Sequence, residues 1–399
     1  RQTLSNPEIK TIINMLEDFL KKKKLVCYGG TAINNILPID DQFYDKAIEI
    51  PDYDFYSPNA LNDAKELANI YYKAGFQEVE AKAGVHHGTY KVYVNFIPVA
   101  DITYLENKLF KLVQKDGFIV NGILYCPPNY LRMNMYLELS RPAGDISRWE
   151  KVLKRLILLN KNFPLNTKGC NANEFQREFE ILNKKEESKL YYVTRDSFID
   201  QGVIFFGGYA SHLYSKYMKK SKQKLFKKTP DFDVLAEDPE KTAEILKERL
   251  HDFDYSNVKI IKRKAVGEML APHLEIKVKI DNIDETIAII YKPLACHSYN
   301  NIKIGKKTVR VATIDTMLSF YLAFLYSERD YYDTDRIICM AQYLFEVQQK
   351  NRLQQKGLLK RFSINCYGKQ ETLEEMRNIK SEKFKELKNK KKSKEYESW

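Results

Sequence analysis

The sequence has no apolar run approaching the roughly 18 residues that a membrane span requires; its longest lies near Leu318 to Tyr326. No charged-then-apolar leader opens the chain, so it reads as soluble and unsecreted, although its first residue is Arg rather than Met and its natural termini stay open. Six cysteines (Cys27, Cys126, Cys170, Cys296, Cys339 and Cys366) are scattered without a CxxC pair. That spacing argues against a zinc ribbon and against a disulfide framework, and favours a reducing compartment. The GxxxxGKS/T, HExxH and GxSxG patterns are missing, which removes the usual support for a P-loop NTPase, a zinc protease and a serine hydrolase. His86-His87 has no cysteine or carboxylate at metal spacing. Acidic residues are outnumbered, 53 against 65 Lys+Arg, and the net charge of +12 favours anionic partners.

What is present is ample for a packed core: 399 residues, 44% hydrophobic and 13% aromatic, with two domains as the starting expectation. The chain reads as two copies of one pattern. Val26-Cys27-Tyr28-Gly29-Gly30-Thr31-Ala32 and Pro51-Asp52-Tyr53-Asp54-Phe55 return as Ile204-Phe205-Phe206-Gly207-Gly208-Tyr209-Ala210 and Pro230-Asp231-Phe232-Asp233-Val234. Later, Val99-Ala100-Asp101-Ile102 matches Ile287-Ala288-Ile289-Ile290, and Asp145-Ile146-Ser147-Arg148 matches Asp333-Thr334-Asp335-Arg336. The expected class is α/β (α+β), each copy a small mixed sheet with flanking helices.

In the first copy, Ile9, Ile12, Ile13, Leu16, Phe19 and Leu20 recur at helical spacing, and Lys21 to Lys24 end that helix. A strand at Leu25 to Tyr28, a helix from Thr31, a strand over Asp52 to Tyr56 and a helix near Leu61 to Ala74 follow. Strands over Tyr90 to Phe96 and Val99 to Tyr104 come next, then helices over Tyr130 to Ser140 and Ile146 to Leu159, the second capped by Asp145. The expected domains are 1–165, a linker at 166–189, a second copy at 190–350 and a basic extension at 351–399. Lys380 to Lys394 holds eight lysines in fifteen residues and reads as a mobile tail or a solvated helix.

On a strand, residues two apart share a face, so Asp52 and Asp54 project together while Tyr53 and Phe55 pack behind them. Paired carboxylates repel unless cations lie between them, and Mg²⁺ takes one or two carboxylates plus phosphate oxygens. Asp101, ending a later apolar strand, supplies a third acid. Gly29-Gly30-Thr31, between strand and helix, suits close backbone approach of a triphosphate, with the Thr31 hydroxyl added. Arg148, Lys151 and Arg155 at i, i+3 and i+7 predict a basic helix face opposite Trp149, Val152, Leu156 and Leu159, fit to hold phosphate.

These residues resemble the polymerase-beta-type nucleotidyltransferase superfamily. Tyr28 to Asn35 together with Asp52-Tyr53-Asp54-Phe55 is similar to the poly(A) polymerase catalytic subunits of large cytoplasmic DNA viruses, the poxvirus and mimivirus type. The resemblance implies two tandem nucleotidyltransferase-like domains from an internal duplication. It further implies template-independent addition of AMP from ATP to the 3′ end of viral mRNA. Asp52, Asp54 and Asp101 would hold two Mg²⁺ or Mn²⁺ ions, one activating the RNA 3′-hydroxyl and one stabilising pyrophosphate, with Asp101 helping to remove the proton. A viral protein of the host cytoplasm, and of the virion as a second location, is implied, either self-associated or working with a processivity partner.

The second copy keeps Gly207, Gly208, Asp231 and Asp233, but Ile289 stands in place of Asp101 and Cys339 and Tyr343 in place of Lys151 and Arg155, so its site reads as dead. Glu275 or Asp281 remain alternative sources of its missing acid. Between its glycines and its acids lie Lys216, Lys219, Lys220, Lys222, Lys224, Lys227 and Lys228, interleaved with Tyr214, Tyr217 and Phe226. That suits phosphate contacts and base stacking on single-stranded RNA. The competing readings are another RNA terminal or small-molecule nucleotidyltransferase, and an inactive RNA-binding scaffold.

Overall fold

The computed structural model describes residues 6–165, 184–224, 226, 230–329, 332–351 and 363–393. The chain divides into two units. The described part of unit 1 is 6–131, 154–164 and 371–393; that of unit 2 is 132–153, 165 and the remainder up to 370.

Unit 1 opens with α1 (Pro7–Lys23). Asn6 caps it by accepting the Glu8 amide, its six expected apolar residues are buried, and Lys21 to Lys23 sit at the negative end of its dipole. Then come β1 (Val26–Tyr28), α2 (Gly29–Ile36), β2 (Tyr53–Ser57) and α3 (Ala60–Lys73). β3 (Val79–Ala83), β4 (Thr89–Val94) and β5 (Ile97–Tyr104) follow, then α4 (Asn107–Lys115), β6 (Phe118–Val120) and β7 (Ile123–Tyr125). The seven strands lie in the order β3-β4-β5-β2-β1-β7-β6. Along β4 burial alternates, with Tyr90, Val92 and Val94 buried and Thr89, Lys91 and Tyr93 on the open face, the period-2 signature of a half-covered sheet. α5 (Pro128–Leu139) and α6 (Trp149–Asn162) continue the chain, joined through a short 3₁₀ turn that Asp145 caps as expected.

Unit 2 repeats this order strand for strand. It contains α7 (Lys184–Gln201), β8 (Ile204–Phe206), α8 (Gly207–Tyr214), α9 (Lys220–Gln223), β9 (Phe232–Leu235), α10 (Pro239–Asp252) and β10 (Val258–Arg263). β11 (His273–Ile280), β12 (Ile283–Tyr291), β13 (His297–Ile304), β14 (Lys307–Ala312), α11 (Ile314–Phe324), α12 (Thr334–Asn351) and β15 (Cys366–Tyr367) complete it. Its sheet runs β10-β11-β12-β9-β8-β14-β13-β15, which is the unit 1 order with one strand added at the edge. The long apolar run near Leu318 is α11, every residue of which is buried in the core. Among the described residues no helix is long and apolar enough to cross a membrane.

Several expectations change. The boundary expected at 165 does not coincide with the division into units: 132–153 group with unit 2, and the described C-terminal residues from 371 group with unit 1. Of the expected linker, 166–183 lie outside the described residues and 184–189 form the first turns of α7. Of the two readings of the basic segment, the solvated helix is the one found: α13 (Leu373–Leu387) is largely exposed, capped by Thr372, with Leu387 buried. Disulfides, which the scattered cysteines argued against, are present: Cys296 is bonded to Cys366, and Cys339 is disulfide-bonded too. Spacing could not reveal the first, because β15 pairs with β13 across 70 residues of chain. Cys27 and Cys126 are free and buried.

Candidate active site

The two acids expected on one strand straddle its start. Asp52 immediately precedes β2, and Asp54 lies in it between buried Tyr53 and Phe55. β2 runs parallel to β5 in a register that sets Asp54 directly beside Asp101. One carboxylate oxygen from each of Asp52, Asp54 and Asp101 lies within 4.8 Å of the others. Burial pushes Asp54 up to about 8, and the charges of Asp52 and Asp101 add to it. Burial and Asp101 likewise raise Asp52. A cation placed among these oxygens removes the repulsion, so the donor set fits a hard divalent ion.

The sheet supplies one cation itself. Lys91 on β4 stands opposite Asp101 on β5, and its ammonium donates to both Asp101 oxygens at 3.1 and 3.3 Å. Burial acts to lower Lys91, but its bond to Asp101 and the charges of Asp101, Tyr93 and Asp54 together outweigh that and the group is raised. Nothing in the linear sequence marked Lys91, because its role depends on which residue of β5 faces it. Strand alternation could only have placed it on the open face.

The paired glycines start α2 rather than precede it. Gly29 has φ +77°, and a Cβ there would stand 3.0 Å from an Asp54 carboxylate oxygen, so both the turn and the strand behind it demand glycine. A Cβ on Gly30 would meet the Tyr44 hydroxyl at 2.6 Å and Arg155 Nη1 at 2.8 Å. The side chain of Tyr28, the N-cap of α2, makes no bond to the first turn, which keeps the positive helix end free of a side-chain cap. Thr31 Oγ1 donates to the Asp52 main-chain oxygen at 2.7 Å, so the hydroxyl expected to serve a phosphate fixes the entry to β2.

The expected basic face of α6 does not form as drawn. Arg155 is buried with Val152 and Leu156, whereas Lys151 is exposed and Arg148 is paired with Glu138 at 2.8 Å. Arg155 lies over the rings of Phe43 and Tyr44 and donates to the Tyr44 hydroxyl at 2.8 Å. It remains beside Gly30 in unit 1, while Arg148 and Lys151 fall in unit 2. The buried face of α6 is wider than the spacing suggested, and aromatic partners accommodate the guanidinium there. Tyr44 was not visible as a site residue in the sequence.

A cleft of about 910 Å³ in unit 1 opens onto Thr31 and Asp52. Asn34, Asn35 and Tyr125 line it in a bonded chain: Asn34 donates to Asn35, Asn35 to the Tyr125 hydroxyl, and Asn34 Oδ1 accepts the amides of Phe43 and Tyr44. The loop between Gly30 and Asp52 is tied back by Lys161 and Asn162 on Asp41.

In unit 2, Gly207 repeats the left-handed turn at φ +74°, close to Asp233. β12 sets Ile289 beside Asp233 as β5 sets Asp101 beside Asp54. Glu275 occupies the Lys91 register opposite Ile289, accepts from Arg263 and Thr286, and is held low although burial opposes this. Asp281 lies in the β11–β12 turn with positive φ. Neither alternative therefore replaces the third acid. The pocket here holds about 50 Å³ and is walled by Tyr321, Phe324 and Tyr332 among others.

Of the lysines expected to bind RNA, Lys216, Lys219, Lys220 and Lys224 are exposed. Lys222 bonds Glu346 and lies over the Tyr343 ring. Lys227 and Lys228 lie outside the described residues. The expected stacking role fails for two aromatics: Tyr214 is fully buried and donates to the Ala312 carbonyl, and Phe226 packs against Tyr343 in the core.

Three carboxylates at the meeting of two parallel strands, beside a helix begun by two glycines, on a sheet repeated in a second unit, define a nucleotidyltransferase-like fold. Residues 14–145 match the family profile described as poly(A) polymerase catalytic subunit. Proteins assigned as such subunits in Acanthamoeba polyphaga mimivirus and in African swine fever virus (isolate Tick/South Africa/Pretoriuskop Pr4/1996) are similar to the chain. The first is 28% identical over 228 residues, covering 54% of this chain and 37% of the relative. The second is 33% identical over 184 residues, covering 45% and 38%. The matches thus span little more than a third of the length of these relatives. The crystal structure of the Megavirus polyadenylate synthase has the same fold, with a TM-score of 0.80 at 20% identity over 96% of this chain and 79% of that one. The resemblance read from the glycine turn and the acidic pair is borne out.

Proposed function

We propose that the chain is a template-independent poly(A) polymerase that adds AMP from ATP to RNA 3′ ends, with unit 1 catalytic and unit 2 inactive. The observation that carries this is the cluster of Asp52, Asp54 and Asp101 beside Gly29 and Gly30. In the reaction the RNA 3′-oxygen bonds to the α-phosphorus of ATP, the bond to the β-phosphate breaks, pyrophosphate departs, and the hydroxyl proton passes to a carboxylate. We assign that transfer to Asp101. The three aspartates would hold Mg²⁺ or Mn²⁺, which when bound supplies positive charge to both the attacking and the leaving oxygen. The first turn of α2 and Arg155 would face the triphosphate. Arg148 and Lys151, on unit 2, and the exposed lysines from Lys216 to Lys224, with Lys227 and Lys228, would contact phosphates of ATP or RNA. The viral origin of the similar proteins supports action on viral mRNA in the host cytoplasm.

The test is extension of a labelled RNA primer with Mg²⁺ or Mn²⁺ and each nucleoside triphosphate in turn. Growth with ATP alone supports the proposal. Growth with several nucleotides makes the chain a general terminal transferase, and binding without growth makes it a scaffold.

A further inference from the structure

The strand registers of unit 1 form a row across its sheet. Lys82 on β3 pairs with Lys91 on β4, Lys91 with Asp101 on β5, and Asp101 with Asp54 on β2. Side chains directly opposite one another in neighbouring strands project to one face, so these four point the same way. None of the four is buried: Lys82 is exposed and the other three are half-buried, while their strand neighbours Tyr90, Val92, Ile102 and Phe55 are buried. The next strand beyond Asp54 is β1, where Tyr28 stands opposite Asp54 and Gly29 follows. The glycine turn therefore lies on one side of the acids, and the two lysines lead away on the other.

At about 4.8 Å per strand, the row from Asp54 to Lys82 spans roughly 14 Å and ends at the sheet edge. The α13 segment reaches that edge at the same level. Lys380 donates to the carbonyl of Gly84, which directly follows Ala83, the neighbour of Lys82 and partner of Tyr90. Past this anchor, Lys385, Lys388, Lys390, Lys391 and Lys392 are exposed. From 383 to 392 the segment holds six lysines against the single acid Glu386. Phe384 also has an exposed ring.

We propose that single-stranded RNA reaches the carboxylates from this side. Its 3′ end lies at Asp101, its first phosphates pass Lys91 and Lys82, and its upstream phosphates run along the lysines of α13. This rests on the RNA-extending reading above and adds the direction and path of the strand. If triphosphate occupies the glycine side, the attacking strand must come from the opposite side, and that is where the positive row lies. Lys91 is then a positioning residue, holding Asp101 and facing the terminal phosphate.

The test replaces Lys388, Lys390, Lys391 and Lys392 by Gln in the full chain, with circular dichroism to confirm folding. Binding of an oligoadenylate of about 15 nucleotides, within the usual span of single-strand sites, is measured over a range of salt against binding of a triadenylate. The expected result is at least tenfold weaker binding of the long RNA and unchanged binding of the short one. The slope of log K against log salt should flatten by up to about 3, since each phosphate contact contributes roughly 0.7 for a single strand. As a check that needs no variant, long RNA should shield these four lysines of the wild type from an amine-acetylating reagent. Unchanged affinity, slope and acetylation overturn the path while leaving the function reading intact. A wild-type chain that binds no RNA overturns that reading itself.

Discussion

The two units are one architecture carried to different ends. Their sheets share strand order, and both begin a helix with two glycines whose first has positive φ and lies against a strand aspartate. They part beside the strand aspartate. Where unit 1 has Asp101 with Lys91 beside it, unit 2 has Ile289 with Glu275 beside it, and Glu275 is bound by Arg263 and Thr286. The cleft of about 910 Å³ in unit 1 opens onto Thr31 and Asp52, whereas the pocket of about 50 Å³ in unit 2 lies at Gly208, Asp231 and Asp233. The glycine turn and the acid pair thus belong to the shared architecture, whereas the third acid of the cluster stands in unit 1.

The sharpest way to break the comparison is to make unit 1 resemble unit 2. Asp101→Asn should lower kcat for primer extension by about 10³ or more, the scale of losing a group aimed at developing charge. It should leave RNA affinity within about twofold. The reverse change, Ile289→Asp, should create no activity. It places a carboxylate at a buried position beside Asp233, and thermal unfolding should report a loss of about 3–5 kcal/mol, as for other uncompensated buried charges.

A smaller effect concerns pH without metal. Asp54 titrates near 8 when folded, against about 4 unfolded, so the folded chain binds the extra proton. Its contribution is therefore complete below about pH 4 and is lost as pH rises towards 8. Asp54→Asn should flatten this dependence and raise Tm at pH 8 by several degrees, at about 2–4 °C per kcal/mol for a domain of this size. Mg²⁺ should raise the Tm of the wild type and not of the variant, because only the native cluster gains by mass action. The smallest effect is expected at Lys161→Ala. Its ion pair with Asp41 is at the surface, and thermal unfolding should show a change of under about 1 kcal/mol.

Much of this was legible before any coordinates. The duplication, the glycine turn, the acid pair, the third acid and its loss in the second copy follow from order and spacing alone. Each of these is a local pattern on a strand or at a helix start, where neighbours in sequence are neighbours in space. What stayed hidden depends on pairing between distant segments. Lys91 becomes a site residue only through the β4–β5 register, and Tyr44 only through Arg155. Helical spacing gives the angle of Arg155 on α6 but not the rings of Phe43 and Tyr44 that cover it. For Tyr214 and Phe226 the lysine-rich context suggests stacking platforms and hides that they turn inward. The Cys296–Cys366 bond likewise needed β15 beside β13.

Unit 1 is proposed to do the chemistry and unit 2 is not. Primer extension with ATP should be run on Asp54→Asn and Asp233→Asn side by side, since the two residues hold equivalent places on equivalent strands. The account predicts no elongation from the first, with RNA still bound, and elongation at the wild-type rate from the second. Elongation by Asp54→Asn, or its loss in Asp233→Asn while the fold stays intact, would contradict it.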